Sequence, residues 1–227
     1  MIFAPWSCPL PGGRTVQETA LCFDQGRAYR LLIVPALFDE ANRLRRLTVE
    51  VMRRLNKAGI DCFLPDLPGC NESVQPLTTQ TPANWQAAMT AAAAHFKASH
   101  VLGIRGGTLV APTDLPGWRY APVNGANVLR QMLRARILSS REAGIAETQE
   151  SLLELGLRDG LELTGHRLGP DFIRQFQSLV PPVSPRMTDI AQDMLGDGGG
   201  LWLRAEPGED RAQADALAAI VAIGIKA

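Results

Sequence analysis

The chain has 227 residues, 46% apolar and 20% charged, enough to bury the core of one ordinary globular domain. Its 23 basic and 23 acidic residues cancel, so no global charge steers it toward nucleic acid or an anionic membrane. The first residues lack the basic start and long apolar core of a signal peptide. The longest near-continuous apolar run, Ala216 to Ile225, is far short of the ~20 residues that span a bilayer.

Cys8, Cys22, Cys62 and Cys70 lie far apart with no C-x-x-C pair, and two of them fall inside predicted strands, where a free thiol behaves as a small hydrophobe. A reduced, cytoplasmic setting is expected. No clustered His/Cys set suggests zinc, so neither a metal nor a cofactor is expected.

Residues 1–15, rich in Pro and Gly, read as an extended arm. Val16 to Phe23 has strand character and ends at the turn Asp24-Gln25-Gly26-Arg27. Tyr29 to Val34 is a short apolar run stopped by Pro35, as in a central parallel strand. Leu44, Leu47, Val51, Leu55 and Ala58 then recur about one turn apart among Arg43, Arg45, Arg46, Arg53 and Arg54. That is an amphipathic helix, with Asp39 as its N-cap and Gly59 as its stop. Ile60 to Pro65 is the next strand. Thr81-Pro82 opens a second helix, threonine as cap and proline in the first turn, with Trp85, Ala88, Met89, Ala92 and Phe96 on its inner face.

Val101 to Val110 is an apolar strand, a Gly103-Ile104-Arg105-Gly106-Gly107 corner, and a second apolar run that starts as a helix could. Small residues let the two backbones approach closely. After Pro112 the alternation breaks. Trp118 to Val123 reads as a strand, and Asn127 to Ser139 as a helix that begins a series of arginines, Arg130, Arg134, Arg136 and Arg141. Ile145 to Leu157 is a helix with Glu147, Glu150 and Glu154 on its polar side. Those acids are expected to balance the arginines, which favours a solvated or helix-pairing face over a polyanion site. Leu161 to Gly165 is strand-like, and Pro170 to Leu179 is a helix stopped by Pro181-Pro182. Leu201 to Ala205 reads as the last strand and Arg211 to Ile223 as the closing helix.

The order implies an α/β protein: a mainly parallel sheet between helical layers, with a helical cap inserted over the carboxyl edge of the strands. Residues 1–124 and 180–227 would form the core, and residues 125–179 the cap.

This three-layer order resembles the α/β-hydrolase fold, whose corner carries Gly-x-Ser-x-Gly and lifts a nucleophile above the sheet. Four stretches carry a closer resemblance: Pro35 to Arg46, Asp66-Leu67-Pro68-Gly69-Cys70-Asn71-Glu72-Ser73, Gly103 to Gly107, and Trp118 to Gly125 with its arginine-rich helix. Together, over about residues 29 to 180, they resemble the second type of exosortase A system-associated hydrolase. The resemblance implies a bacterial hydrolase by fold, found with exopolysaccharide and protein-sorting loci, in which arginine at the corner's centre is usual. This chain departs from it with Asn71 where glycine is more frequent, and with His166 where tyrosine is more frequent.

Arginine presents donors only and cannot attack a carbonyl carbon, so the nucleophile position is degenerate. An oxyanion or other anion could be held by the N–H of Ala36 or Leu37 with that of Gly106. Arg105 could bind a carboxylate or phosphate bidentately, or pair internally with Asp39, Glu40, Asp66 or Glu72. Of the three histidines, His95 and His100 fall away from the carboxyl edge, and His166 falls in the cap. The loop that should carry a catalytic histidine is Glu206-Pro207-Gly208-Glu209-Asp210. Cys70 and Ser73 are weak substitute nucleophiles and His166 a weak base; Arg105 could lower the pKa of Cys70. No dinucleotide fingerprint or phosphate loop is present, since G-x-G-x-x-G would require glycine at 105. Two functions remain open. One is a divergent hydrolase of an ester, acyl or saccharide substrate. The other is a non-catalytic pseudo-enzyme binding a small anionic molecule or a protein partner.

Overall fold

Strands β3 (Arg30–Val34), β4 (Asp61–Pro65) and β5 (His100–Ile104) form the middle of a seven-stranded sheet, because almost every residue in them is apolar and both sheet faces are covered. They pair in parallel, Leu32 opposite Phe63 on one side and Val101 on the other, so their carboxyl ends finish together. β6 (Gly117–Tyr120) continues the parallel pairing beside β5. The computed structural model describes residues 1–227.

The amino-terminal segment is not an extended arm. Ile2–Pro9 is strand β1, which pairs antiparallel with β2 (Thr15–Phe23), and β2 in turn pairs antiparallel with β4. Trp6 and Cys8 are fully buried, and the strand packs against the second helix. Pro5 and Pro9 are tolerated because β1 is an edge strand, where a missing N–H breaks no interior ladder. At the other edge, the last strand is β9 (Met187–Ile190), parallel to β6. The expected strand at Leu201 is a 3₁₀ turn, Leu201–Leu203, in which Trp202 folds back over Gly200. β9 lacks a strand's apolar run because its middle residues face solvent.

Helices α1 (Asp39–Lys57) and α6 (Arg211–Gly224) cover one face, where Leu44, Leu47, Val51 and Leu55 pack on Leu31, Ile33 and Cys62. α1 starts at Asp39 itself. Phe38 occupies the cap position with φ of 55° and no side-chain bond, so Asp39 is not the N-cap; with Glu40 it places negative charge in the first turn. Helix α2 (Pro82–His95) covers the other face, and Thr81 Oγ1 accepts the Asn84 N–H at 3.1 Å, as the sequence predicts.

No α-helix follows β5. Arg105–Leu109 is a 3₁₀ helix, which the low helix propensity of Gly106-Gly107 and the nearby Pro112 keep short. The inserted segment holds α3 (Gly125–Glu142), α4 (Gln149–Asp159), the hairpin of β7 (Leu161–Leu163) and β8 (His166–Leu168), and α5 (Pro170–Phe176). α4 begins after residue 145 because Thr148 and Ser151 form a reciprocal capping box there. Phe172 and Phe176 pack edge-on against Phe38, each with centroids 5.8 Å away, which seats the segment where β3 ends.

Candidate functional site

The corner after β5 is built as tightly as its glycines suggest. A Cβ on Gly107 would lie 2.2 Å from the Pro35 carbonyl oxygen and 2.6 Å from that of Val34, so only glycine fits between β5 and the turn after β3. Arg105 has φ of 50°, a left-handed conformation that brings its Cβ close to the following carbonyl at a cost in energy. Thr108 Oγ1 donates to the Arg105 carbonyl at 2.7 Å and helps hold the turn.

The Arg105 side chain is fully engaged. Its Nε and Nη2 donate to the two Glu40 carboxylate oxygens at 3.0 and 2.9 Å, and Nη1 donates to the Ala121 carbonyl at 3.0 Å. The guanidinium also stacks 4.1 Å above the Trp202 ring. Both charged side chains are nearly buried, 12% and 5% exposed. Leu37 lies directly over Gly106, and Val128 and Met132 of α3 are buried nearby. The space left there, lined among others by Leu37, Asp39, Glu40, Arg43, Val128 and Met132, is about 50 Å³, room for one or two waters.

A much larger cleft of about 1000 Å³ opens on the other side of the same turn. Ala36, Phe38, Asp39, Asn42 and Arg45 line it from the start of α1, Asn71 and Glu72 from the loop after β4, Thr19 and Phe3 from the antiparallel hairpin, and His166 from β8. Thus Ala36 borders the cleft, whereas Leu37, Arg105 and Gly106 do not, and the four predicted anion-binding residues form no single site.

His166 Nε2 is 3.7 Å from Asp39 Oδ1, and its ring meets Phe38 edge-on at 5.2 Å. Burial lowers the imidazole pKa, and the Asp39 carboxylate works against that. Behind the cleft, Asp66 accepts from Asn71 Nδ2 at 2.7 Å and lies 3.9 Å from Arg45 Nη1. Its carboxyl is raised by burial, with Asn71 and Arg45 opposing. Asn71 has φ of 50°, which explains why glycine suits this position in the proteins the loop resembles.

No protein-family model and no curated protein matches the sequence. Among solved structures, alpha/beta hydrolase domain-containing protein 10 from mouse aligns over 98% of this chain and 98% of its own, with a TM-score of 0.62 and 12% identity. Hypothetical protein PA2218 from Pseudomonas aeruginosa aligns over 84% of this chain and 77% of its own, with a TM-score of 0.52 and 12% identity. A chain from Agrobacterium vitis aligns over 61% of this chain and only 60% of its own length, with a TM-score of 0.46 and 13% identity.

The chain has an α/β-hydrolase fold.

The corner residue Arg105 is thus a buried strut. Ser73 Oγ donates to Glu18 Oε1 at 2.7 Å and accepts the Gly69 N–H at 2.8 Å, so it ties a loop rather than facing an imidazole. Glu18 is itself buried, which raises its pKa, and the Ser73 hydroxyl only partly offsets that. Cys70 is no activated thiol: burial and the charges of Asp66 and Glu18 push it up to about 12, and Arg105, held by Glu40, does not lower it. The hydroxyl–imidazole contact that does exist, Ser99 Oγ to His100 Nδ1 at 2.9 Å, lies at the opposite, amino end of β5. Ser99 there donates to the Arg30 carbonyl at 3.1 Å. His95 packs edge-on against Phe96. No group of three or more His, Cys, Asp or Glu side chains is placed to hold a metal, and no helix is long and apolar enough to cross a membrane.

The sequence reading missed Asn42, Arg45, Thr19 and Phe3 as cleft residues. Asp39, Asn42 and Arg45 recur every three residues, a polar stripe on the first turns of α1 that could have flagged them.

Proposed function

We propose that this α/β-hydrolase-fold protein is a non-catalytic pseudo-enzyme that binds a small polar ligand, of saccharide or acyl-saccharide type, in the open cleft. The carrying observation is the Arg105–Glu40 pair, which fills the nucleophile position with an engaged strut while leaving polar groups free on the other side of the turn. Residues 1–124 and 180–227 form the core in this proposal, and residues 125–179 its cap. Asn42, Arg45 and His166 offer donors to ligand hydroxyls, Asp39 and Glu72 offer acceptors, and exposed Phe3 gives an apolar rim. An anionic group on the ligand would meet Arg45 rather than Arg105. The resemblance to exosortase A system-associated hydrolases supports a cytoplasmic role beside exopolysaccharide machinery.

Calorimetric titration with neutral oligosaccharides and small organic anions tests the binding reading. Arg45→Ala should weaken binding by roughly 10- to 150-fold, the worth of hydrogen bonds to a charged donor. Short-chain nitrophenyl esters should not turn over, and fluorophosphonate probes should not label the protein. Stoichiometric labelling at Ser73 or any other hydroxyl would refute the pseudo-enzyme. One observation favours a second reading, hydrolysis by activated water: His166 and Asp39 stand together in the cleft as a base and its carboxylate. Turnover lost in His166→Ala would establish it.

A further inference from the structure

The arginines of α3 were expected to be neutralised by the acidic helix that follows. Only Arg136 is, through Glu147 at 2.9 Å, and it points toward the hairpin side, where its Nη1 donates to the Glu162 carbonyl. Arg130, Arg134 and Arg141 form no ion pair; Arg130 merely donates to the neutral Asn127 side chain at 3.3 Å. At about 100° per residue, these three fall within about 40° of one another, opposite the buried Val128, Leu129, Met132 and Leu133. All three are exposed, and the 60% exposed Leu138 lies beside them on the same face.

α4 packs against α3 and shows the complementary pattern. Glu150 and Glu154, one turn apart, are exposed on its solvent side and make no ion pair, with Leu155 exposed next to them. Side by side in one copy, the two charged stripes do not neutralise each other.

We infer that the outer face of α3 and α4 is a self-complementary surface through which two copies of this chain associate. A two-fold axis between the helices lays α3 of one copy on α4 of the other, and the reverse contact follows by symmetry. The i, i+4 spacing of Arg130 and Arg134 matches that of Glu150 and Glu154. Leu138 and Leu155 supply apolar area between the charges. A membrane or nucleic acid is disfavoured because the same face would bring two glutamates against its phosphates.

A charge swap tests this directly. Sedimentation velocity on the full chain should show a dimer at micromolar concentration that dissociates as salt is raised. The R130E/R134E double variant and the E150R/E154R double variant should each be monomeric, with affinity reduced on the order of 100-fold or more by like charges meeting at both contacts. Each should keep the wild-type far-ultraviolet circular dichroism spectrum, since none of these side chains makes an internal ion pair. Mixed together, the two variants should form a heterodimer, because acidic α3 then meets basic α4 and the converse. A monomeric wild type would overturn the proposal. So would a dimer that survives both reversals, or a mixture that does not associate. Binding of wild type to phosphatidylserine vesicles without dimerisation would reassign the stripe to a membrane surface.

Discussion

Asp39 and Glu40 are neighbours in the first turn of α1, both acidic, yet their carboxylates meet different partners. Glu40 turns inward and is consumed by Arg105, under Trp202 and α3, where about 50 Å³ remains. Asp39 faces a cleft about twenty times larger and stands 3.7 Å from a histidine that is not protonation-locked by it. The corner holds a short-range, buried ion pair, whereas the charged groups of the adjoining cleft stand 3.7 to 3.9 Å from their neighbours and stay partly exposed. What separates them is desolvation. A buried charge must be paired, whereas a half-exposed one is free to exchange its partner for a ligand.

The largest expected effect that would sharpen this contrast comes from removing the strut. Arg105→Ala strands a carboxylate that is 5% exposed, and chemical denaturation should show a loss of about 3–5 kcal/mol. Exchanging both partners for apolar residues, Arg105→Met with Glu40→Leu, should recover much of it. A loss below about 1 kcal/mol would mean the pair is solvated, and the distinction between corner and cleft would fail.

Arg105→Ser restores the Gly-x-Ser-x-Gly spelling and probes whether the corner is a dormant site. It should pay the same stability cost and stay inactive on nitrophenyl esters, because no histidine follows the last strand, β9. Measurable esterase activity in that variant would reveal a base near the corner.

His166 supplies a smaller, pH-dependent effect on the cleft side. Its folded pKa lies below the ordinary value, so the unfolded chain takes up that proton first. The stability the neutral ring contributes is complete above about pH 6.5 and is lost as the pH falls through the lowered value. Melting temperatures across pH 4.5–8 should therefore fall less steeply on the acid side in His166→Asn than in wild type. Identical profiles would remove His166 from a desolvated wall.

The smallest effect has the opposite sign. Glu18 and Asp66 have carboxyl pKa values raised mainly by burial, so their contribution is present at low pH and is lost as pH rises through those values. Glu18→Gln keeps an acceptor for Ser73 and removes the buried charge. It should raise the melting temperature slightly, more at pH 8 than at pH 5; an equal shift at both would assign the gain to something other than ionisation.

Much of the fold is legible in local sequence. The apolar runs of β3, β4 and β5, the Thr81-Pro82 helix start and the arginine-spaced face of α1 all follow from patterns within a few residues, and the structure places them as the patterns require. The edges were not legible. β1 hides behind its prolines and β9 lacks an apolar run, because an edge strand is held on one side only and its sequence is less constrained. The 3₁₀ turn at Leu201 likewise reflects the packing of Trp202 over Gly200 rather than propensity.

For the site, the sequence by itself determined that Arg105 cannot be a nucleophile and that no histidine follows the last strand, since both depend only on which side chain stands where. It also restricted the carboxylates that could face Arg105 to a few. Only the tertiary structure decided that Glu40 takes both guanidinium edges while Asp39, one residue away, meets His166 across a cleft. Successive residues on a helix point about 100° apart, and which of the two directions is core depends on what the rest of the chain packs there: Trp202 and α3 on one side, the β7–β8 hairpin and open solvent on the other.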